Sequence, residues 1–364
     1  MTSAKEIKSL TGIRGLAAIY VIIFHWNVEI AGTHLKNTPI YLKQIIGHGY
    51  LSVDLFFVLS GFVLCLSSYQ LLAKFSLDGY KSFMYKRFAR IFPLYICITL
   101  LYFGLFNYSL KTLLVNLTLF QGLTRTFNNS IIPPGWSLTD EWIIYFFFPI
   151  LFYLLLKWKT KRWILILSAV SILLLLSSQR SIGFNWSNYS FLKNVNGFHP
   201  IISFTRGPAS LLRAVSAYLL GIFAFLMYQK GANAKAFKYF IIPLLVALCF
   251  PKTDIIIIVM MPFCIHYLTI SNILSRICSS KLVYFLGLIS YSLYVNHYLF
   301  IKTYAKVARL LGINNSYFSF FYVMIGSLIL STITYYTIEK YGIKLFKKLR
   351  ERNAEGIPTA NLPH

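Results

Sequence analysis

The chain has 364 residues, of which 57% are hydrophobic and only 12% charged. A soluble domain averages about 25% charged residues, so this composition excludes one and points to a membrane protein. The 35 Lys and Arg against 10 Asp and Glu give a formal charge of +25. Basic residues in short loops between apolar runs act as orientation signals, which sets aside a nucleic-acid surface.

The apolar runs are solid rather than alternating, so the expected fold is all-α, a polytopic helical bundle and not a barrel. About ten transmembrane helices are expected, each near the length that spans a bilayer. They begin near Leu10, Gly49, Phe92, Trp136, Trp163, Gly207, Phe237, Ile255, Val283 and Ser316. Lys and Arg favour one side by about two to one, which places both termini in the cytoplasm. The chain reads as one membrane domain over residues 1–364, ending in a basic cytoplasmic tail from about 340 with no appended soluble domain.

The first run, Leu10 to Gly32, lacks a small-residue cleavage site and carries two ionisable groups, Arg14 and His25. They lie eleven residues apart. A helix puts them within about 20° of the same face and roughly 16 Å apart along its axis. Charges at membrane depth are costly and mark sites or pathways. The bland alternative is an arginine snorkelling to the interface and a histidine satisfied within the bundle.

Later runs bring more such groups. GYLSVDLFFVLSGF carries Asp54, and GWSLTDEW carries Asp140 and Glu141. Arg213 and His297 follow in the sixth and ninth runs. With the expected topology these groups and His25 form a layer near the outer leaflet. A basic layer lies at the cytoplasmic side: Arg14 with Lys86, Arg87 and Arg90 of YKRFARIFPLY. Structural ion pairs, such as Arg213 with Asp54 or Glu141, are the plain alternative for the outer layer. Positive-inside charge alone would explain Arg87 and Arg90. His34, His48, His199, His266 and His364 have no assignable charged partner at comparable depth and read as structural or surface groups.

Two outer segments are long. Residues 107–135 hold the piece LLVNLTLFQGL, too short to span and expected to be re-entrant or interfacial. Residues 179–206 read equally as a rim for a polar partner or as an ordinary interfacial loop with its aromatic belt. The five cysteines show no ligand-like spacing and read as small apolar residues, so no metal site is expected.

A histidine beside a carboxylate is the usual acid–base unit. Bidentate arginines suit a phosphate-rich ligand. The two layers together suggest group transfer across the bilayer from a phosphorylated donor. A proton-coupled transporter also uses intramembrane His, Asp and Glu. A scaffold needs none of them.

In five places, in order, the chain resembles the acyltransferase-3 family of membrane O-acyltransferases acting on bacterial surface polysaccharides. The places are Arg14 with His25, Val53 to Phe62, Arg87 and Arg90 before Phe92–Pro93, Trp136-Ser137-Leu138 with Glu141, and Ile289 to Tyr294 with His297. Asp140 stands where the family often has an apolar residue, and Asn296 where it often has Trp. The resemblance implies an enzyme of the bacterial inner membrane with no permanent cofactor. It would move an acyl group, acetyl in the usual case, from cytoplasmic acetyl-CoA to a sugar hydroxyl of lipopolysaccharide O-antigen or another surface glycan. Arg87 and Arg90 would hold the CoA phosphates, with Arg14 beside the pantetheine path. His25 would be the general base, oriented by Asp54 or Glu141, with an acyl-His25 intermediate as the less favoured variant. Trp136 and Ser137 would line the acceptor entrance. Arg213 and His297 are the candidate oxyanion donors.

Overall fold

The computed structural model describes residues 6–31, 38–123, 130–159, 161–178, 180–181, 184–185, 198, 200–313 and 315–355. His34, His199 and His364, and most of the 179–206 segment, lie outside the described residues.

The described chain is helical almost throughout. In order the helices are α1 (Lys8–Glu29), α2 (Ile40–Gly47), α3 (Ser52–Leu72), α4 (Leu77–Leu105), α5 (Leu110–Leu117), α6 (Trp136–Lys157), α7 (Arg162–Ser177), α8 (Gly207–Gln229), α9 (Ile241–Ala247), α10 (Asp254–Leu268), α11 (Ile273–Cys278), α12 (Lys281–Leu288), α13 (Ser290–Leu311), α14 (Ser316–Thr334) and α15 (Lys340–Glu355). A two-residue antiparallel pair, β1 (Arg180–Ser181) and β2 (Phe184–Asn185), is the strand content among the described residues.

Six stretches among the described residues are long and apolar enough to cross a membrane: Lys8–Glu29, Ile40–Leu71, Leu77–Leu105, Pro133–Lys157, Gly207–Gln229 and Ser316–Glu351. The other expected spans take different forms. Trp163–Ser177 and Asp254–Leu268 are apolar but shorter than the six, which run to 22 residues or more. The run from Phe237 is a 3₁₀ segment (Ala234–Phe240) followed by the short α9. The run from Val283 breaks at Ile289, and α13 continues beyond it with a much more polar sequence. α4 starts at Leu77, well before the expected Phe92. Ser76 caps it by accepting from the Gly79 amide at 3.1 Å, and Asp78 in its first turn complements the helix dipole. The helix then runs through Lys86, Arg87 and Arg90, and Pro93 lies in its interior.

Small residues set the closest helix approaches, as is usual for helices packed in lipid. A Cβ on Gly221 of α8 would stand 2.2 Å from the Val58 carbonyl of α3. A Cβ on Gly287 of α12 would stand 2.0 Å from the Thr11 carbonyl of α1. Side-chain bonds then sort the helix ends into two levels. At one level Ser9 Oγ donates to Leu268 O at 2.7 Å and Arg90 pairs with Glu339. At the other, Trp26 Nε1 donates to Ser319 Oγ at 3.0 Å and Arg213 pairs with Asp54. α1 touches both levels, with Arg14 near the first and His25 near the second.

Candidate active site

His25 and Arg14 open into two small cavities rather than toward lipid. The His25 chamber, of about 40 Å³, is bordered by Val21, Tyr50, Trp136, Arg213 and Tyr298 among others. The Arg14 chamber, of about 50 Å³, is bordered by Phe57, Ser60, Ser137, Glu141 and Tyr291. Val53 and Tyr294 line both. Since one water needs about 10–15 Å³ of such volume, each holds only a few waters.

The His25 ring packs against His297 (centroids 5.2 Å apart), Tyr298 (5.4 Å) and Phe24 (5.1 Å). His297 Nδ1 lies 3.1 Å from the Leu293 carbonyl. A carbonyl accepts only, so Nδ1 carries the proton and Nε2 is left as an acceptor. That Nε2, and His25 Nδ1, are buried without hydrogen-bond partners in the structure. Two unsatisfied imidazole nitrogens therefore sit on neighbouring rings. Tyr298 in turn donates to Glu29 at 2.7 Å.

The carboxylates expected beside His25 lie elsewhere. Asp54 is fully buried and engaged by Arg213, through Nε at 2.9 Å and through Nη2. Arg213 also donates to Phe204 O at 3.1 Å and, weakly, to Tyr50 O at 3.5 Å. Its guanidinium stacks on Tyr50 (5.0 Å) and Trp136 (5.7 Å). Four contacts occupy four of the five guanidinium N–H groups. Glu141 is at the Arg14 level: its Oε1 accepts from Tyr145 at 2.5 Å, Ser60 at 3.1 Å and Tyr218 at 3.4 Å. Consecutive residues on a helix point about 100° apart, and Asp140 is accordingly buried toward Ser210 and Arg213 instead.

The basic residues divide in the same way. Arg90 is neutralised by Glu339, which also accepts from Ser292 Oγ at 2.7 Å. Glu339 closes a π-helical segment, Tyr335–Glu339, between α14 and α15; such segments often occur at functional sites. Arg87 lies over the Phe83 and Tyr145 rings at 5.3 and 5.9 Å, its Nε buried and unpartnered. Arg14 forms no ion pair among the described residues, though Glu141, Arg90 and Glu339 are its charged neighbours. Trp136 and Ser137, expected together, border different chambers.

A His–carboxylate contact does form, between residues that sequence reading kept apart. His48 Nε2 lies 3.3 Å from Asp254 Oδ1, both side chains fully buried. His48 Nδ1 meets the carbonyls of Gln44 (2.9 Å) and Leu248 (3.1 Å). The contact lacks hydrogen-bond geometry, since Asp254 Oδ1 has no hydrogen-bond partner, and the buried pair acts as a cross-brace. Asp254 Oδ2 accepts from the Ile201 amide at 2.6 Å, holding the segment whose Ser203 and Thr205 roof the His25 chamber. The chain has only ten acidic residues. A census of those at span ends would have flagged Asp254 and Glu339.

An acyltransferase-domain family model matches residues 7–336. A protein described as acyltransferase MdmB, from Streptomyces mycarofaciens, is 29% identical over 176 residues, covering 43% of this chain and 42% of its own length. No solved structure matches. The family match runs over nearly all the helices described above, from the start of α1 through α14. The chain therefore belongs to the acyltransferase-3 family, and its match spans less than half the length of the curated relative.

Proposed function

We propose that this protein takes an acyl group, acetyl in the usual case, from cytoplasmic acyl-CoA and esterifies a sugar hydroxyl of lipopolysaccharide O-antigen or another surface glycan on the periplasmic side. In this reading the chain makes ten passes through the bacterial inner membrane with both termini in the cytoplasm. The sorting of helix ends into two levels supports that alternation, with the Arg14 level inside. α7 and α10 are short but can pass where the bundle locally thins the bilayer.

One observation carries the reading. A chamber lined by Arg14 and Glu141 and a chamber lined by His25 lie along α1 and share Val53 and Tyr294. Arg87 takes the nucleotide phosphates, and Arg14 lies along the pantetheine path. Because Arg90 is already matched by Glu339, it serves the wall more than the ligand. His25 is the general base. Its Nδ1 and His297 Nε2, on neighbouring rings and both unpartnered in the structure, would pair once the ligands are bound, leaving His25 Nε2 for the acceptor. His297 thus takes the orienting part that a carboxylate plays in other acid–base pairs. Its own proton is held by Leu293 O, which makes it a poor oxyanion donor; Arg213, with one N–H to spare, suits that part better.

The chemistry is a single exchange. His25 removes the sugar hydroxyl proton as the oxygen attacks the thioester carbonyl. The C–S bond breaks, and CoA thiolate leaves with that proton. Purified protein given acetyl-CoA and acceptor glycan should release free CoA and acetylated glycan in equal amounts. Absence of CoA release, together with proton-linked solute flux in liposomes, would replace this reading with that of a transporter.

A further inference from the structure

Two side chains, Val53 and Tyr294, line both chambers. Tyr291, Tyr294 and His297 follow one another at three-residue steps on α13, so they lie on one face, each about 4.5 Å further along the axis. Tyr291 borders the Arg14 chamber, its hydroxyl donating to Ile91 O at 2.7 Å. His297 packs on His25. Tyr294 stands between them and lines both cavities. Its hydroxyl lies 2.7 Å from Ser137 Oγ and 2.9 Å from Pro134 O, and Ser137 Oγ is also 3.2 Å from Pro134 O. Three contacts share the two hydroxyl protons available, so no single arrangement satisfies all of them. Phe56 and His297 flank the ring at 5.9 and 6.0 Å.

We propose that Tyr294 is the gate between the two chambers, latched shut by Ser137 and Pro134 and opened when a ligand occupies the Arg14 side. Val53 is the fixed jamb opposite, since its helix is held by the Asp54–Arg213 pair one residue on. In the closed state water from the His25 side does not reach the Arg14 chamber. Ser137 borders that chamber, so an arriving ligand meets the latch directly. Chambers of about 40 and 50 Å³ admit neither a pantetheine arm nor a sugar, so passage requires such an opening. The proposal rests on the transfer reading for the identity of the ligand, but the partition itself does not.

The test uses the full chain with Cys65, Cys97, Cys249, Cys264 and Cys278 replaced by serine or alanine. Single cysteines are placed at Ser60, in the Arg14 chamber, and at Val21, in the His25 chamber. Thiol-reactive silver ion, small enough for a space that holds a few waters, is applied to right-side-out and inverted vesicles, and labelling by it is read as loss of maleimide reaction after denaturation. Each position should label from one face only; with Tyr294→Ala both should label from either face, wrong-side labelling rising at least tenfold. An unchanged pattern in folded Tyr294→Ala protein would overturn the gate. If that variant does not fold, Tyr294→Phe combined with Ser137→Ala decides: a several-fold rise in wrong-side labelling supports the latch, and no rise overturns it. In parallel, acceptor-free hydrolysis of acetyl-CoA should increase in the open variants. There water replaces the sugar hydroxyl, giving acetate and free CoA. Opened labelling without any CoA release would leave the gate standing and sink the thioester donor instead.

Discussion

The two chambers are made from the same residue types and use them differently. Around His25 the charges are cancelled: Arg213 grips Asp54, and the His48–Asp254 brace pins the roof. What stays unmatched there are imidazole nitrogens of His25 and His297 and the hydroxyls of Tyr50 and Thr205. Around Arg14 the unmatched groups are cations, since Arg87 and Arg14 form no ion pairs among the described residues while Arg90 has Glu339. Cancelled charges hold a shape. Uncancelled ones inside a membrane protein await a ligand.

The sharpest break between these regions comes from His25→Ala. A general base contributes about 10²–10⁴-fold, so transfer should fall by that much with expression and thermal stability unchanged. Transfer retained at near-parent rate would remove His25 from the mechanism. Next, Asp54→Ala should act on the fold. Removing one partner of a buried pair costs about 3–5 kcal/mol, read as a large drop in unfolding temperature in detergent. Asp54→Leu with Arg213→Met should recover much of that stability without recovering activity. Equal stability of Asp54→Ala and parent would mean that Arg213 finds other partners.

His297→Ala should then lower kcat by about 10–100-fold with little change in donor affinity, on the scale of other positioning residues around an acid–base or metal site. A change in donor affinity alone would contradict the orienting role. The smallest effects separate the two arginines of α4. Arg87→Ala should weaken acyl-CoA binding by about 10–100-fold, the scale of a charged hydrogen bond. Arg90→Ala should instead lower stability by orphaning Glu339, with a smaller effect on affinity. If both shift affinity alike, the Arg90–Glu339 pair must open to admit the donor.

Much of this was legible in the sequence. The 11-residue spacing of Arg14 and His25 placed both on one face of α1, because helical periodicity holds wherever the backbone is regular. The levels of Asp54, Arg213 and His297 followed from counting along spans. Irregular backbone hid the rest. The π-helical turn carries Glu339 to Arg90 out of what reads as a basic tail. The Phe237 run breaks into 3₁₀ and α pieces, and α4 continues through a proline that reads as a helix start. Pairing was the harder part. Nothing local to Asp54 distinguishes His25 from Arg213 as its partner, and nothing near His48 announces Asp254, 206 residues away.

The central claim is passage of an acyl group from the Arg14 chamber to the His25 chamber. It is tested most directly in sealed vesicles of one orientation, with acetyl-labelled acetyl-CoA on the Arg14 side and acceptor glycan on the other. Labelled glycan on the far side, matched one for one by free CoA on the near side and abolished by His25→Ala, is the predicted result. Labelled glycan formed only when donor and acceptor share a side would contradict it.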